Sequence, residues 1–271
     1  MTRIPPVFVS HGSPMLALEP GTAGPMMRTL ARERLPRPEA ILVVSAHWET
    51  TSPTVSRVAR SPIIHDFSGF PRRLYELGYD APGAPALAER TRSLLDSAGL
   101  EPRVSEDRGL DHGAWVPLRY LYPEAALPVT QLSVVPRHGA AWHLDLGRAL
   151  RPLADEGVLV LGSGGLTHNL GEIHGRAADA RPPDWVSGFA DWAAARLEAG
   201  DADALAAYRE LGPHATQNHP TEEHFLPLLV ALGAAGRGAT GLRVPGGVTY
   251  GVLAMDAFVM AAAASADGSL Q

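Results

Sequence analysis

The sequence predicts one α/β domain, with a central sheet covered by helices on both faces. Three observations carry this. Strand-like apolar runs alternate with helical patterns along the chain. The chain has 271 residues, 45% of them hydrophobic, which suits one large domain with a real core. No repeat or long linker interrupts it. We expect residues 1–264 to form the domain and 265–271 a flexible tail.

Taken in order, the strands are expected at 7–10, 40–46, 54–58, 127–135, 158–162 and 248–255. The last run alternates more than the others and reads as an antiparallel member, which makes the sheet mixed. The helix expected at 84–97 sets Ala84, Leu87, Ala88, Leu94 and Leu95 among Arg and Glu, and Gly99 stops it. The pattern at 142–154 places Leu146, Leu150 and Leu153 on one face, with Pro152 predicting a kink or an early end. At 185–199, Phe189, Trp192, Ala193 and Leu197 recur at helical spacing before Gly200. A short helix at 225–232 carries Pro227 in its first turn, where proline is tolerated. Residues 61–82 are rich in Pro, Gly and aromatics, and read as a long functional loop placed as a lid over the site.

Composition narrows the function. The formal charge is −6, and all 23 basic residues are Arg, mixed with acidic ones, so no basic face marks a nucleic-acid partner. Cysteine is absent, which removes disulfides, thiolate nucleophiles and iron–sulfur clusters. A metal would be held by His, Asp, Glu or backbone oxygen. Met1–Pro6 has no signal-peptide core, and the apolar stretch 252–264 is too short to span a bilayer. A cytoplasmic protein with no membrane partner is expected.

Eleven histidines are present. His11, His47 and His168 each fall just past an apolar strand-like run, the last after the turn Gly162-Ser163-Gly164-Gly165. Ligands gather at the carboxyl ends of strands in open α/β sheets, so these three read as one metal edge. Ordinary turns after strands are the competing reading. His224 is expected in the first turn of a helix capped by Thr221, where a helix dipole favours a neutral imidazole. His219, followed by Pro220, competes with it. His112 reads as a pocket residue that hydrogen-bonds substrate or oxygen, with structural capping as the competing reading. His65 on the lid faces substrate or pairs with Asp66. Glu49 and Glu223 are candidates to fix imidazole tautomers. Neutral imidazoles suit Zn, Fe, Cu and Ni, and three protein ligands leave positions open for chemistry.

Jointly, the motifs Ser10-His11-Gly12-Ser13-Pro14, Ser45-Ala46-His47-Trp48-Glu49, Ile64-His65-Asp66-Phe67-Ser68-Gly69-Phe70-Pro71, Asp111-His112-Gly113-Ala114-Trp115, Thr167-His168-Asn169-Leu170 and Glu223-His224-Phe225-Leu226-Pro227 are specific. The chain resembles the class III extradiol ring-cleavage dioxygenases, in the DOPA 4,5-dioxygenase branch, over residues 5–257. The resemblance implies a three-layer α/β fold with a mixed sheet and a mononuclear non-haem metal. It implies His11, His47 and His224 as ligands, with His168 beside the metal as acid/base or as a fourth ligand. His112 would then contact substrate or bound oxygen, and we assign Ser13, His65 and Asp66 to substrate binding. In the wider superfamily the third ligand is a glutamate; here the matching position is His224, so the ligand set is uncharged.

The implied reaction is extradiol cleavage of a DOPA-like or other small catechol by O2 to a muconic semialdehyde. His168 would take a catechol proton. Fe(II) is expected for activity, and Zn(II) is an alternative bound metal. The partners are then a small catechol and O2; the oligomeric state has no signature in the sequence. Two other functions compete: a zinc-dependent hydrolase using metal-bound hydroxide, and a non-catalytic binding scaffold. The intact histidine set argues against the scaffold.

Overall fold

Residues 2–263 are described by a computed structural model, built around an eight-stranded sheet. The strands are β1 (Val7–Ser10), β2 (Ala40–Glu49), β3 (Thr54–Ser56), β4 (Arg103–Ser105), β5 (Val129–Val134), β6 (Val158–Gly164), β7 (Thr240–Val244) and β10 (Ala257–Ala261), in the order β4-β3-β5-β2-β6-β1-β10-β7. A two-stranded ribbon of β8 (Val248–Thr249) and β9 (Leu253–Ala254) stands apart. The central strands β5, β2, β6 and β1 run parallel; β10 lies antiparallel to β1, β7 antiparallel to β10, and at the other edge β3 and β4 run against β5.

Successive residues of a strand point to opposite faces, and the core divides accordingly. On β2, Leu42 and Val44 join one apolar layer and Ile41 and Val43 the other; on β6, Val160 and Leu161 part in the same way. The first layer is closed by α2 (Pro85–Ser97), α4 (Gly139–Ala149), α5 (Arg151–Asp155), α6 (Asp184–Glu198) and α10 (Leu226–Ala235). The second is closed by α1 (Ala23–Arg34) and α3 (His112–Leu121). Short helical turns α7 (Ala202–Ala206), α8 (Tyr208–Leu211) and α9 (Ala215–Asn218) lead back towards the sheet edge. This is the expected mixed sheet between two helical layers.

Several local expectations change. The run 248–255 is not a sheet strand: it folds into the β8–β9 ribbon, turned by Tyr250 and Gly251 at positive φ (56° and 65°). The strands that run against the central four are β10 towards one edge and β3 and β4 at the other. Pro152 does break the helical run, which divides at Leu150 into α4 and α5. Segment 61–82 is largely irregular but anchored through buried Leu74, Tyr79 and Ala81. The tail at 265–271 lies outside the described residues.

Registers bring the site together. Ser10 pairs with Gly164, and Ser45 with Ser163, so the carboxyl ends of three adjacent parallel strands lie level, with β6 between the other two.

Candidate metal centre

His11 follows β1 directly, as expected. His47 does not follow β2: it lies inside the strand, which runs on to Glu49 through a register slip after Ser45. Nor does His168 follow a turn at 162–165, because Gly162, Ser163 and Gly164 are the last residues of β6. His224 precedes α10 rather than sitting in its first turn, and Thr221 donates to Glu223 Oε1 (2.9 Å) instead of capping the helix. One ring nitrogen from each of His11, His47 and His224 nevertheless lies within 4.8 Å of the other two. His168 stands outside that group.

The glycine run of β6 delivers His224. A Cβ at Gly164 would sit 2.1 Å from the His224 carbonyl oxygen, and one at Gly162 would sit 2.2 Å from that of Pro227. Only bare backbone lets the 224–227 segment lie on the strand this closely. The Gly165 N–H donates to the His224 carbonyl (2.9 Å), while the His11 N–H donates to that of Gly164 (2.9 Å). One strand end therefore grips both histidines by their backbones.

The side chains are held from behind. Ser163 Oγ donates to the Gly113 carbonyl (2.5 Å) and so accepts from His11 Nδ1 (3.0 Å). That carbonyl is free because Pro117, four residues on in α3, has no N–H to offer it. His224 Nδ1 donates to Glu223 Oε1 (2.9 Å), and His47 Nδ1 faces Asp66 Oδ2 at 3.5 Å. His11 and His224 thus each have an outward acceptor at Nδ1, which leaves their Nε2 lone pairs turned inward, while His47 Nδ1 has only the longer approach to Asp66. His11 and His47 present Nε2 to Nε2 at 2.9 Å, and His224 Nε2 is buried without a hydrogen-bond partner. Converging lone pairs repel unless a cation lies between them, so this donor set fits a metal ion.

Electrostatics favour the ligand form. His11 and His224 are held well below the usual imidazole value, first by burial and then by neighbouring histidines. His47 falls to about 4 by burial and by His112, against the pull of Asp111 and Asp66. All three are neutral at pH 7.

The slip in β2 is braced by a buried carboxylate. Asp111 accepts from Ser45 Oγ (2.7 Å), Arg108 (2.7 Å), the Ala114 N–H (3.2 Å) and Gln131. Ser45 Oγ in turn accepts from the His47 N–H (3.2 Å), and Arg108 donates to the His47 carbonyl (3.2 Å) while stacking on Trp48. Both peptide groups of His47 are thereby fixed. The expectation for Glu223 holds, whereas Glu49 makes no hydrogen bond to an imidazole among the described residues.

The other expected residues surround this group. His168 stacks on His224, ring centroids 3.4 Å apart and planes 7° apart, and both line a cleft of about 540 Å³ with His47, Glu49, Leu170 and Glu223. Burial lowers His168 to about 4, with Glu223 opposing. His112 opens α3 and packs against His47 and His11, with centroids 4.0 and 5.4 Å away. Asp66 accepts from His112, not from His65: Oδ1 takes its N–H and Oδ2 its Nδ1, both at 2.9 Å. Burial alone would raise Asp66, but these bonds and His47 outweigh it and hold the carboxyl at about 2. His65 sits edge-on to Phe67 and Trp115, and its Nε2 is buried and unpaired. Ser13 caps the turn Pro14–Ala17 and lines a separate cavity of about 360 Å³. His219 is turned away, donating to the Leu166 carbonyl (3.0 Å). Sequence reasoning missed Ser163, Arg108, Gln131 and the part played by Pro117. Only Asp111 left a signal, as an N-cap candidate before an apolar run.

The family described as the catalytic LigB subunit of aromatic ring-opening dioxygenase matches residues 6–260. A 4,5-DOPA dioxygenase extradiol of Beta vulgaris is 43% identical over 238 residues, spanning 84% of this chain and 86% of that one. The enzyme of the same name from Escherichia coli K12 is 42% identical, spanning 86% of each. The crystal structure of an uncharacterized Escherichia coli K12 protein superposes with a TM-score of 0.75 at 32% identity, covering 96% of this chain and all of the other. The matched span holds every histidine of the cluster, and the chain belongs to the family of the LigB catalytic subunit of aromatic ring-opening dioxygenase.

Proposed function

We propose that this protein opens the ring of a catechol with O2, at the bond next to the diol, to give a muconic semialdehyde. The observation that carries the reading is the convergence of three neutral imidazoles, two of them tethered through Nδ1, in a chain of this family, beside a cleft sized for a small aromatic ring. The names of the relatives favour a DOPA-like catechol.

His11, His47 and His224 would hold the metal through Nε2. Zn(II) fits the same donors but has no redox chemistry, so Fe(II) is the active ion in this proposal. Bound there, Fe(II) would supply the redox centre that ring opening by O2 requires. The rest falls to the protein. His168, stacked on His224 at the wall of the cleft, would take a catechol hydroxyl proton on a ring nitrogen and return it as the ring opens. Ala46, Leu170 and Pro220 give the cleft apolar surface for the ring, and Glu223 keeps His224 in its ligand tautomer.

Anaerobic reconstitution with Fe(II), followed by a panel of catechols and oxygen, tests the proposal. A yellow semialdehyde with matching oxygen uptake is expected. No turnover of any catechol at full iron occupancy would refute it. Ester or amide hydrolysis with Zn(II) alone, without oxygen uptake, would replace it with a hydrolase.

A further inference from the structure

Asp66 lies on the irregular segment 61–82, yet it binds one residue twice: Oδ1 accepts the backbone N–H of His112, and Oδ2 accepts its Nδ1, each at 2.9 Å. The backbone N–H opens α3 and has no partner within the helix, so the carboxylate satisfies it as a cap would. A carboxylate only accepts, so the imidazole carries its proton on Nδ1. The ring cannot turn over without setting carbon against Oδ2. His47 packs on it at 4.0 Å between centroids, and Phe67 meets it edge-on at 5.7 Å. His112 Nε2 makes no hydrogen bond among the described residues and lies on the side of the ring away from Asp66.

We propose that Asp66 is a positioning residue that locks His112 in the Nδ1–H tautomer, so that His112 offers Nε2 to the substrate as a hydrogen-bond acceptor for a catechol hydroxyl. This rests on the ring-opening function for its substrate, but not for its tautomer. The contact of Asp66 with His47 Nδ1 is longer, 3.5 Å, so the carboxylate belongs chiefly to His112.

Asp66→Asn separates this role from mere support. The amide oxygen still accepts the His112 N–H, which turns the NH2 group towards Nδ1 as a donor. The ring proton then moves to Nε2, and the acceptor becomes a donor. Asp66→Ala leaves Nδ1 to water and imposes neither tautomer. Long-range ¹H–¹⁵N correlation on the zinc-loaded, ¹⁵N-histidine protein should show His112 with the proton on Nδ1, and the inverse pattern in Asp66→Asn. In the iron-loaded enzyme, kcat should fall on the order of 10²-fold in Asp66→Asn and less in Asp66→Ala, with metal content unchanged. The proposal is overturned by an Nε2–H tautomer in the unaltered protein, or by Asp66→Asn activity within about twofold of it. It is also overturned by equal metal loss in both variants, which would move the role of Asp66 to His47. If no catechol is cleaved at all, the ring-opening function fails, while the tautomer pattern still decides this inference.

Discussion

A single methyl group at residue 164 tests how His224 is delivered to the centre. In Gly164→Ala the new Cβ would lie 2.1 Å from the His224 carbonyl oxygen, and ordinary contact begins near 3.4 Å. The obstacle is backbone, so the 224–227 segment must withdraw by about 1.3 Å, the difference between those distances. Phe8 Cε2, already 3.4 Å from the same point, leaves the methyl no room to yield sideways. Overpacking of this kind costs about 1–3 kcal/mol. The Gly165 N–H to His224 carbonyl bond, 2.9 Å long, is lost as well, for a further ~0.5–1.5 kcal/mol. His224 then withdraws from His11 and His47, and metal affinity should fall on the order of 10–100-fold, as when an outer partner of a ligand is removed. Competition against a chelating dye reads the affinity, and thermal melting of the metal-free protein reads the stability. Gly188→Ala is the control: its Cβ meets nothing within 4 Å in the middle of α6, so it should stabilise by ~0.5–1 kcal/mol without touching the metal. Unchanged metal affinity in Gly164→Ala would refute the idea that β6 positions His224 through its bare backbone.

Other outcomes follow from the same geometry. Ser163→Ala strips the donor from the Gly113 carbonyl and the acceptor from His11 Nδ1, so it should cost about 1–3 kcal/mol in a denaturant melt and weaken metal binding in the dye assay. His168→Ala should abolish catechol turnover while the protein keeps its metal by elemental analysis; loss of metal would make His168 a ligand instead. Six histidines (His11, His47, His143, His168, His219 and His224) have values depressed chiefly by burial, so the unfolded chain binds their protons more readily. The stability of the metal-free protein should therefore be flat above pH 7 and decline from about 6.5 to about 4, the range between the unperturbed histidine value and those of His47 and His168. A melting temperature constant over that range would contradict the burial of neutral imidazoles.

The alternation of strands and helices was legible because apolar runs and helical periodicity are local. So was His11, since a four-residue strand has an obvious end. His47 was legible as a candidate but not in its place, because the slip in β2 depends on Asp111 and Arg108, more than 60 positions away. The run Gly162-Ser163-Gly164-Gly165 misleads for a physical reason. Glycine marks turns in sequence, yet here it serves close backbone approach within a strand, and nothing local separates the two uses. The stretch 248–255 has the composition of a sheet strand, but Tyr250 and Gly251 at positive φ fold it back on itself. Asp66 was legible as a partner of His65 and as a substrate-binding candidate, but not as the partner of His112, because that bond joins positions 46 apart.

Pro117 makes the metal centre and α3 a single cooperative unit. A helix normally closes its first turns with its own amides, and those turns fray independently of whatever lies beyond them. In α3 the Gly113 carbonyl is instead closed by Ser163 of β6, whose hydroxyl also carries His11. Opening that turn and releasing His11 are therefore one event, and a metal bound by His11 would also raise the free energy needed to unravel the helix. Stabilisation by a metal at His11 would then spread through a serine hydroxyl into the layer formed by α1 and α3, rather than ending at the ligands.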